Sequence, residues 1–363
     1  MEDQRARAAR LKREHRPGRP RTTPAPGDDP AAGPPGARAG RLRGRPLAAS
    51  FVGLAMLLSG CAGAEGSAST AASGRTPMRS AAEQPASGRA ASSPSATPTA
   101  DPAGRTASAL PDPDVAIPRD PARLARALAG TTTRLRSAVD EWRRAGDPAT
   151  GQAPEPVVLL ALHQQRIYRF MARNREIASR TYAALPKALA GPAEENVTAI
   201  RELLSLAHPV SKPAKFRVTQ AKPADVLLGH FRRAERRFGV DWEVLASVMF
   251  VETKFGRVRS PSHTGAKGPM QFMPGTWKAY GMGGDVHDTG DAILAAANYL
   301  HASGAPRNYR RALYAYNHSW AYVNAVQRHA RQIKRDIRNY YTYYNWQVFV
   351  ITTRGERRLS GPS

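Results

Sequence analysis

From residue 121 onward, apolar and polar positions alternate along the chain with a helical period. Leu124, Leu128, Leu135, Val139 and Trp142 recur at roughly helical intervals until Pro148, Pro154 and Pro156 break the run. A second helix is predicted from about Val157 to Leu185, and a third from Pro192 to Ala207 with Pro192 at its start. Pro223 opens another, with Leu227, Phe231, Ala234 and Phe238 on one face and Arg232, Arg233, Arg236 and Arg237 on or beside the other. That arginine run reads first as a solvated face. Asp241 is a good N-cap for the helix that follows, and Asp291 for a small-residue helix ending in Asn298-Tyr299-Leu300. Near the end come Tyr341, Tyr343, Tyr344 and Trp346, then the β-like Val348-Phe349-Val350-Ile351. These aromatic residues are expected to pack as a clasp rather than to stand out as a platform. The pattern is mainly α.

One position in this pattern carries chemistry. In the helix after Asp241, Trp242, Leu245, Ala246 and Met249 follow at helical spacing. Glu252 falls seven residues after Leu245, four after Val248 and three after Met249, so it shares their face and should be carried inward with it. Burial disfavours the charged form, so its proton should be held up towards neutral pH. A surface Glu held by Lys254 or Arg257 is the plainer alternative. From Thr253 to Gly284 the chain has no other acid, so no sequence neighbour shares the proton.

The N-terminal third has a different composition. Residues 1–60 begin with an Arg/Pro/Gly/Ala-rich leader lacking any hydrophobic period. Arg41, Arg43 and Arg45 then precede the short apolar run Leu47–Leu58, which ends Leu58-Ser59-Gly60-Cys61. This is a secretory signal of lipoprotein type, too short to span a bilayer, with Cys61 as the lipidation site. Cys61 is also the single cysteine, so no disulfide is expected. Residues 61–120 are Ala/Ser/Pro-rich and read as a disordered linker. Expected domains follow at 121–212 (helical, role open), 213–340 (catalytic) and 341–363 (aromatic clasp and tail). The net charge is +25; loss of residues 1–60 leaves 42 basic and 24 acidic residues, or +18. That suits an anionic polymer. The signal argues against nucleic acid, and no helix-turn-helix, RNP-like or zinc pattern appears.

Three blocks in order carry a family resemblance: Val251-Glu252-Thr253; Gly265-Ala266-Lys267-Gly268-Pro269-Met270-Gln271-Phe272-Met273-Pro274; and Ala315-Tyr316-Asn317-His318-Ser319. Over roughly residues 223–335 the chain resembles the lytic transglycosylases of bacterial cell walls, which share a lysozyme-like fold. The family usually has Glu-Ser in the first block, Gly-Leu-Met-Gln in the second and Ala-Tyr-Asn-Ala-Gly in the third. Thr253 keeps the hydroxyl, Pro269 replaces the Leu and removes a backbone donor, and His318-Ser319 replace Ala-Gly.

The resemblance implies that Glu252 protonates the glycosidic oxygen between MurNAc and GlcNAc. As a carboxylate it then takes the proton of the MurNAc 6-hydroxyl, closing a 1,6-anhydro ring with help from the acetamido group. It also implies that Ser260 hydrogen-bonds the catalytic carboxyl, that Met270 and Gln271 line the sugar groove, that Tyr316 stands near the acid and that Asn317 borders its subsite. Plain core packing competes with ligand contact for Met270, and an ordinary turn with a site role for Ser260. The expected substrate is peptidoglycan glycan, the expected location extracytoplasmic, at the outer face of the membrane through Cys61 or secreted into the cell wall, and protein partners are left open. No cofactor or metal is expected: Asp285, Asp288 and Asp291 do not match an EF-hand, and no His-Glu-x-x-His occurs. A water-using muramidase and a wall-binding scaffold without turnover remain the alternatives.

Overall fold

The computed structural model describes residues 109–210, 217–262 and 264–359. Cys61 and the leader, signal and most of the expected linker lie outside the described residues. The linker's last part does not: Arg166 Nη1 donates to the Pro113 and Val115 carbonyls at 2.9 and 2.8 Å, and Ile117 packs on the core.

Four helices come first: α1 (Pro121–Ala145), α2 (Glu155–Arg173), α3 (Arg175–Ala184) and α4 (Lys187–Ser205). Asp120 caps α1 by accepting from the Arg123 N–H, and Pro121 follows at N1. The expected stripe from Leu124 to Trp142 is buried. The single helix expected from Val157 to Leu185 is two, because Asn174 (φ −121°, ψ 80°) turns its side chain back onto the Phe170 carbonyl at 2.8 Å and ends α2. The next helix begins earlier than expected. Pro186 supplies the extended approach, α4 starts at Lys187, and Pro192 sits inside it. A proline this near the start forgoes a single ladder bond.

The rest is α5 (Ala224–Phe238), α6 (Trp242–Thr253), α7 (Pro274–Tyr280), α8 (Thr289–Ala302), α9 (Tyr309–Tyr316), α10 (Trp320–Arg335) and α11 (Arg338–Tyr344). A hairpin closes it: β1 (Val348–Thr352) pairs antiparallel with β2 (Gly355–Leu359), Val348 opposite Leu359. The architecture is mainly helical with a lysozyme-like part. Gly239, in the left-handed region at φ 67°, ends α5. Asp241 does occupy the N-cap position of α6, but its carboxylate is taken by the Tyr309 hydroxyl (2.8 Å) and Lys334 (3.0 Å). Glu235 instead accepts from the Trp242 N–H at 3.1 Å. Likewise Asp288, not Asp291, caps α8; Asp291 stands in the first turn, where its side chain accepts from the Asp285 N–H. The carboxylate three residues earlier wins because only it can reach the free N–H of the first turn.

Buried side chains of α1–α4 join those of α5–α11 in one continuous cluster. Its seam is aromatic. Trp142 of α1 meets Tyr341 at 5.6 Å, and Phe250 of α6 stacks on Tyr343 at 5.1 Å. The tyrosine hydroxyls are all engaged: Tyr340 on the Ala224 carbonyl, Tyr341 on Asp225, Tyr343 on Asn196 and Tyr344 on the Lys222 carbonyl. Buried and bonded in this way, the aromatic run is packing rather than an exposed surface for sugar. Because the core is shared, Trp142→Ala and Phe231→Ala should each cost about 3–5 kcal/mol and shift one common unfolding transition in urea. Two transitions, with Trp142→Ala moving only one, would show that α1–α4 unfold separately.

Candidate active site

Helix α6 is apolar all round, and every residue from Val244 to Thr253 is buried. Glu252 is therefore buried not because it chose the right face but because α6 has no wet one. The carboxyl is 3 % exposed, and its Oε2 has no hydrogen-bond partner. Burial pushes its pKa up to about 8, opposed by the Tyr322 hydroxyl beside it and by Lys254. No second carboxylate is among the groups acting on this proton.

The chain leaves α6 through Lys254, Phe255 and Gly256, all at positive φ (52°, 60° and 80°). Non-glycine residues hold this conformation only where the surroundings enforce it. Thr253 supplies part of that enforcement: its hydroxyl donates to the Pro269 carbonyl at 2.6 Å and accepts from the Gly256 N–H at 2.9 Å. The hydroxyl retained after Glu252 thus ties the helix end to the loop beside it. Lys254 is not the surface partner considered for Glu252. It is buried, its ammonium donates to the Phe250 carbonyl at 3.0 Å, and burial lowers its pKa to about 7.

The second block forms a tight loop, closed by reciprocal bonds of 2.9 Å between Lys267 and Phe272. Gly268 (φ 74°) must be glycine, since a Cβ there would lie 1.9 Å from the Val286 carbonyl oxygen. Met270 is fully buried, and its carbonyl accepts from the Tyr316 hydroxyl at 2.7 Å. Gln271, at φ 53°, donates to the Gly268 carbonyl and leaves a buried Oε1 unpartnered. Tyr316 ends α9; burial and the Glu252 charge raise its phenol well above the usual range. Asn317 follows, 1 % exposed, with both amide atoms unpartnered.

Glu252, Met270, Gln271, Tyr316 and Asn317 are thereby gathered around the C-terminal end of α6. Ser260 is half-buried, and its Oγ accepts from the Arg217 N–H at 3.0 Å, which ties it to the neighbouring segment. Tyr322 went unnoticed in the sequence. Ser319 caps α10 by accepting from the Tyr322 N–H, and this fixes Tyr322 where its side chain, 0 % exposed, adjoins the acid. Only the serine cap three residues before it signalled the position. The Asp285–Asp291 loop spends its carboxylates on backbone N–H groups. Among the described residues no group of three acidic, His or Cys side chains is arranged to hold a metal.

The site therefore holds a lone buried acid at a helix end, faced by a glycine-cornered loop and two tyrosines. Residues 229–339 match the model of a protein family, the transglycosylase SLT domain. That family comprises the peptidoglycan lytic transglycosylases, lyases that act on glycan in the extracytoplasmic space. No curated protein and no solved structure matches the chain. Among the described residues no helix is long and apolar enough to cross a membrane.

The raised acid has a signed consequence for stability. Unfolded, the carboxyl loses its proton near 4.5; folded, it holds it to about 8. Between these values the folded state binds more protons, so this group lowers stability as pH rises. Lys254, protonated to 10.5 when unfolded but only to about 7 when folded, acts oppositely from pH 7 upward. Glu252→Gln should therefore stabilise the protein by on the order of 2 kcal/mol at pH 7 and by little at pH 4.5, measured by urea unfolding. Destabilisation that grows with pH would contradict the assignment.

Proposed function

We propose that Glu252 cleaves the MurNAc–GlcNAc β-1,4 bond of peptidoglycan without water, acting first as acid and then as base. The single observation that carries this reading is a buried carboxyl, its pKa raised by burial, on which no second carboxylate acts. Hydrolytic glycosidases generally use two carboxyls, the second activating water or attacking the sugar. With one, the nucleophile is best supplied by the substrate. Glu252 gives its proton to the glycosidic oxygen as the bond from C1 breaks and the GlcNAc hydroxyl leaves. The acetamido group stabilises the cationic C1. The Glu252 carboxylate then takes the proton of the 6-hydroxyl, whose oxygen bonds C1, giving a 1,6-anhydroMurNAc end and restoring the acid. A pKa near working pH suits a group that must do both.

The unpartnered Gln271 Oε1 and Asn317 amide are the groups best suited to hydrogen-bond sugar hydroxyls, since buried polar atoms are otherwise satisfied. Met270 supports the groove by packing, and Ser260 holds the loop that follows the acid. Cys61, by its place after the signal, anchors the enzyme by lipid at the outer face of the membrane, and residues 121–212 brace α10 through α4. Charge pairs support that bracing: Glu195 of α4 accepts from Gln332 at 2.5 Å and faces Arg331 and Arg335.

Mass spectrometry of muropeptides released by the full chain tests the reaction: products one water lighter than hydrolysed ones are expected. Hydrated reducing ends would indicate a muramidase, and binding without release a scaffold. Glu252→Gln should reduce release on the order of 10³-fold. The rate should fall as pH rises through about 8, where the acid loses its proton. Tyr322→Phe removes a donor that favours the carboxylate, so this alkaline limb should move to higher pH. A limb that stays or moves down would exclude Tyr322 from tuning the acid.

A further inference from the structure

Phe250 lies nearly opposite Glu252 around α6, given about 100° per residue, Val251 stands at its side, and Lys254 follows the helix end. They face a separate cavity of about 50 Å³ between α2, α4, α6, α10 and β1. The charge on this side of α6 is unbalanced. Arg169 and Arg173 share one carboxylate, Glu356, while Lys254 has no acid within ion-pair distance among the described residues. An unpaired ammonium is costly where water is scarce, because buried charges are ordinarily paired. Hydrogen bonding is unbalanced in the same place. Trp346 and His329 are among the residues around this cavity, and Trp346 Nε1 and both ring nitrogens of His329 are buried without a hydrogen-bond partner. The Lys254 ammonium uses one of its three donors, on the Phe250 carbonyl. Towards solvent the lining turns apolar and half-exposed, with Leu203, Leu204, Phe349 and Ile351.

A deep end offering one cation and several unmet N–H donors, with an apolar outer wall, matches one ligand class. We propose that this cavity binds a small carboxylate carried on a short apolar tail, its oxygens taken by Lys254, Trp346 and His329 and its tail by Leu204 and Phe349. A neutral amide of the same shape would bring an NH₂ group against these donors, so charge and acceptor count both select the anion. The groups facing Lys254 are Arg169 from α2, His329 from α10, Glu252 and Arg257 on its own segment, and Glu356 behind Arg169. Burial, then Lys254, holds His329 neutral, with its pKa lowered to about 3, so its one N–H is a donor seeking an acceptor. Since Lys254 keeps its proton only to about 7 in the empty protein, binding should weaken above that pH.

The probe is sodium butanoate, titrated calorimetrically into the full chain, with butanamide as the uncharged control. Saturable binding of butanoate alone is expected, weaker at pH 8.5 than at pH 6. Lys254→Met should lower affinity by about tenfold or more, and Trp346→Phe several-fold. Equal binding of butanamide, no binding of either, or butanoate affinity unchanged in the variants would overturn the proposal and leave a water-filled cavity. Should Lys254→Met not fold, Trp346→Phe decides alone, since it keeps an aromatic ring and removes the N–H.

Discussion

The structure depends on keeping one carboxyl out of water at the end of a helix that has no solvent face. Burying an ionisable group costs stability unless it stays neutral, and Glu252 stays neutral by holding its proton to about 8. The rest of the site maintains that condition. Thr253 ties the helix end to the Pro269 carbonyl, and Tyr316 ties the same loop through the Met270 carbonyl, so helix, loop and α9 enclose the acid together. Tyr322, beside the carboxyl, opposes part of the upward shift.

Keeping α6 dry takes more than the matched family segment. Phe250 stacks on Tyr343, Tyr343 bonds Asn196 of α4, and Trp142 of α1 meets Tyr341. The N-terminal helices thus help to exclude solvent from the far side of the catalytic helix. The same arrangement strands Lys254, His329 and the Trp346 N–H behind it. The two sides of α6 therefore pose opposite electrostatic problems, an acid held neutral and a cation without a partner.

Much of this was legible in the sequence where one physical signal dominated. The stripe from Leu124 to Trp142 gave α1, the face from Leu227 to Phe238 gave α5, and the three ordered blocks pointed to the family. The helical face of Glu252 pointed to burial only in part, because spacing within a short helix carries no information on the elements that cover its polar side. Asn174 and Pro192 misled because each residue type has two roles, and only tertiary packing selects between them. Asp241 and Asp291 looked like caps, yet competing partners from distant segments, Tyr309, Lys334 and the Asp285 N–H, engaged them. Tyr322 had only the Ser319 cap as a local signal and Lys254 had none, since their significance arises from what folds against them.

The most direct test is a ¹³C NMR titration of the Glu252 side-chain carboxyl in the folded protein, identified by the resonance that disappears in Glu252→Gln. A midpoint near 8 is predicted, with the group protonated at neutral pH. A midpoint near the ordinary 4.5 would mean a carboxylate at working pH, and the single-residue acid–base account would fail.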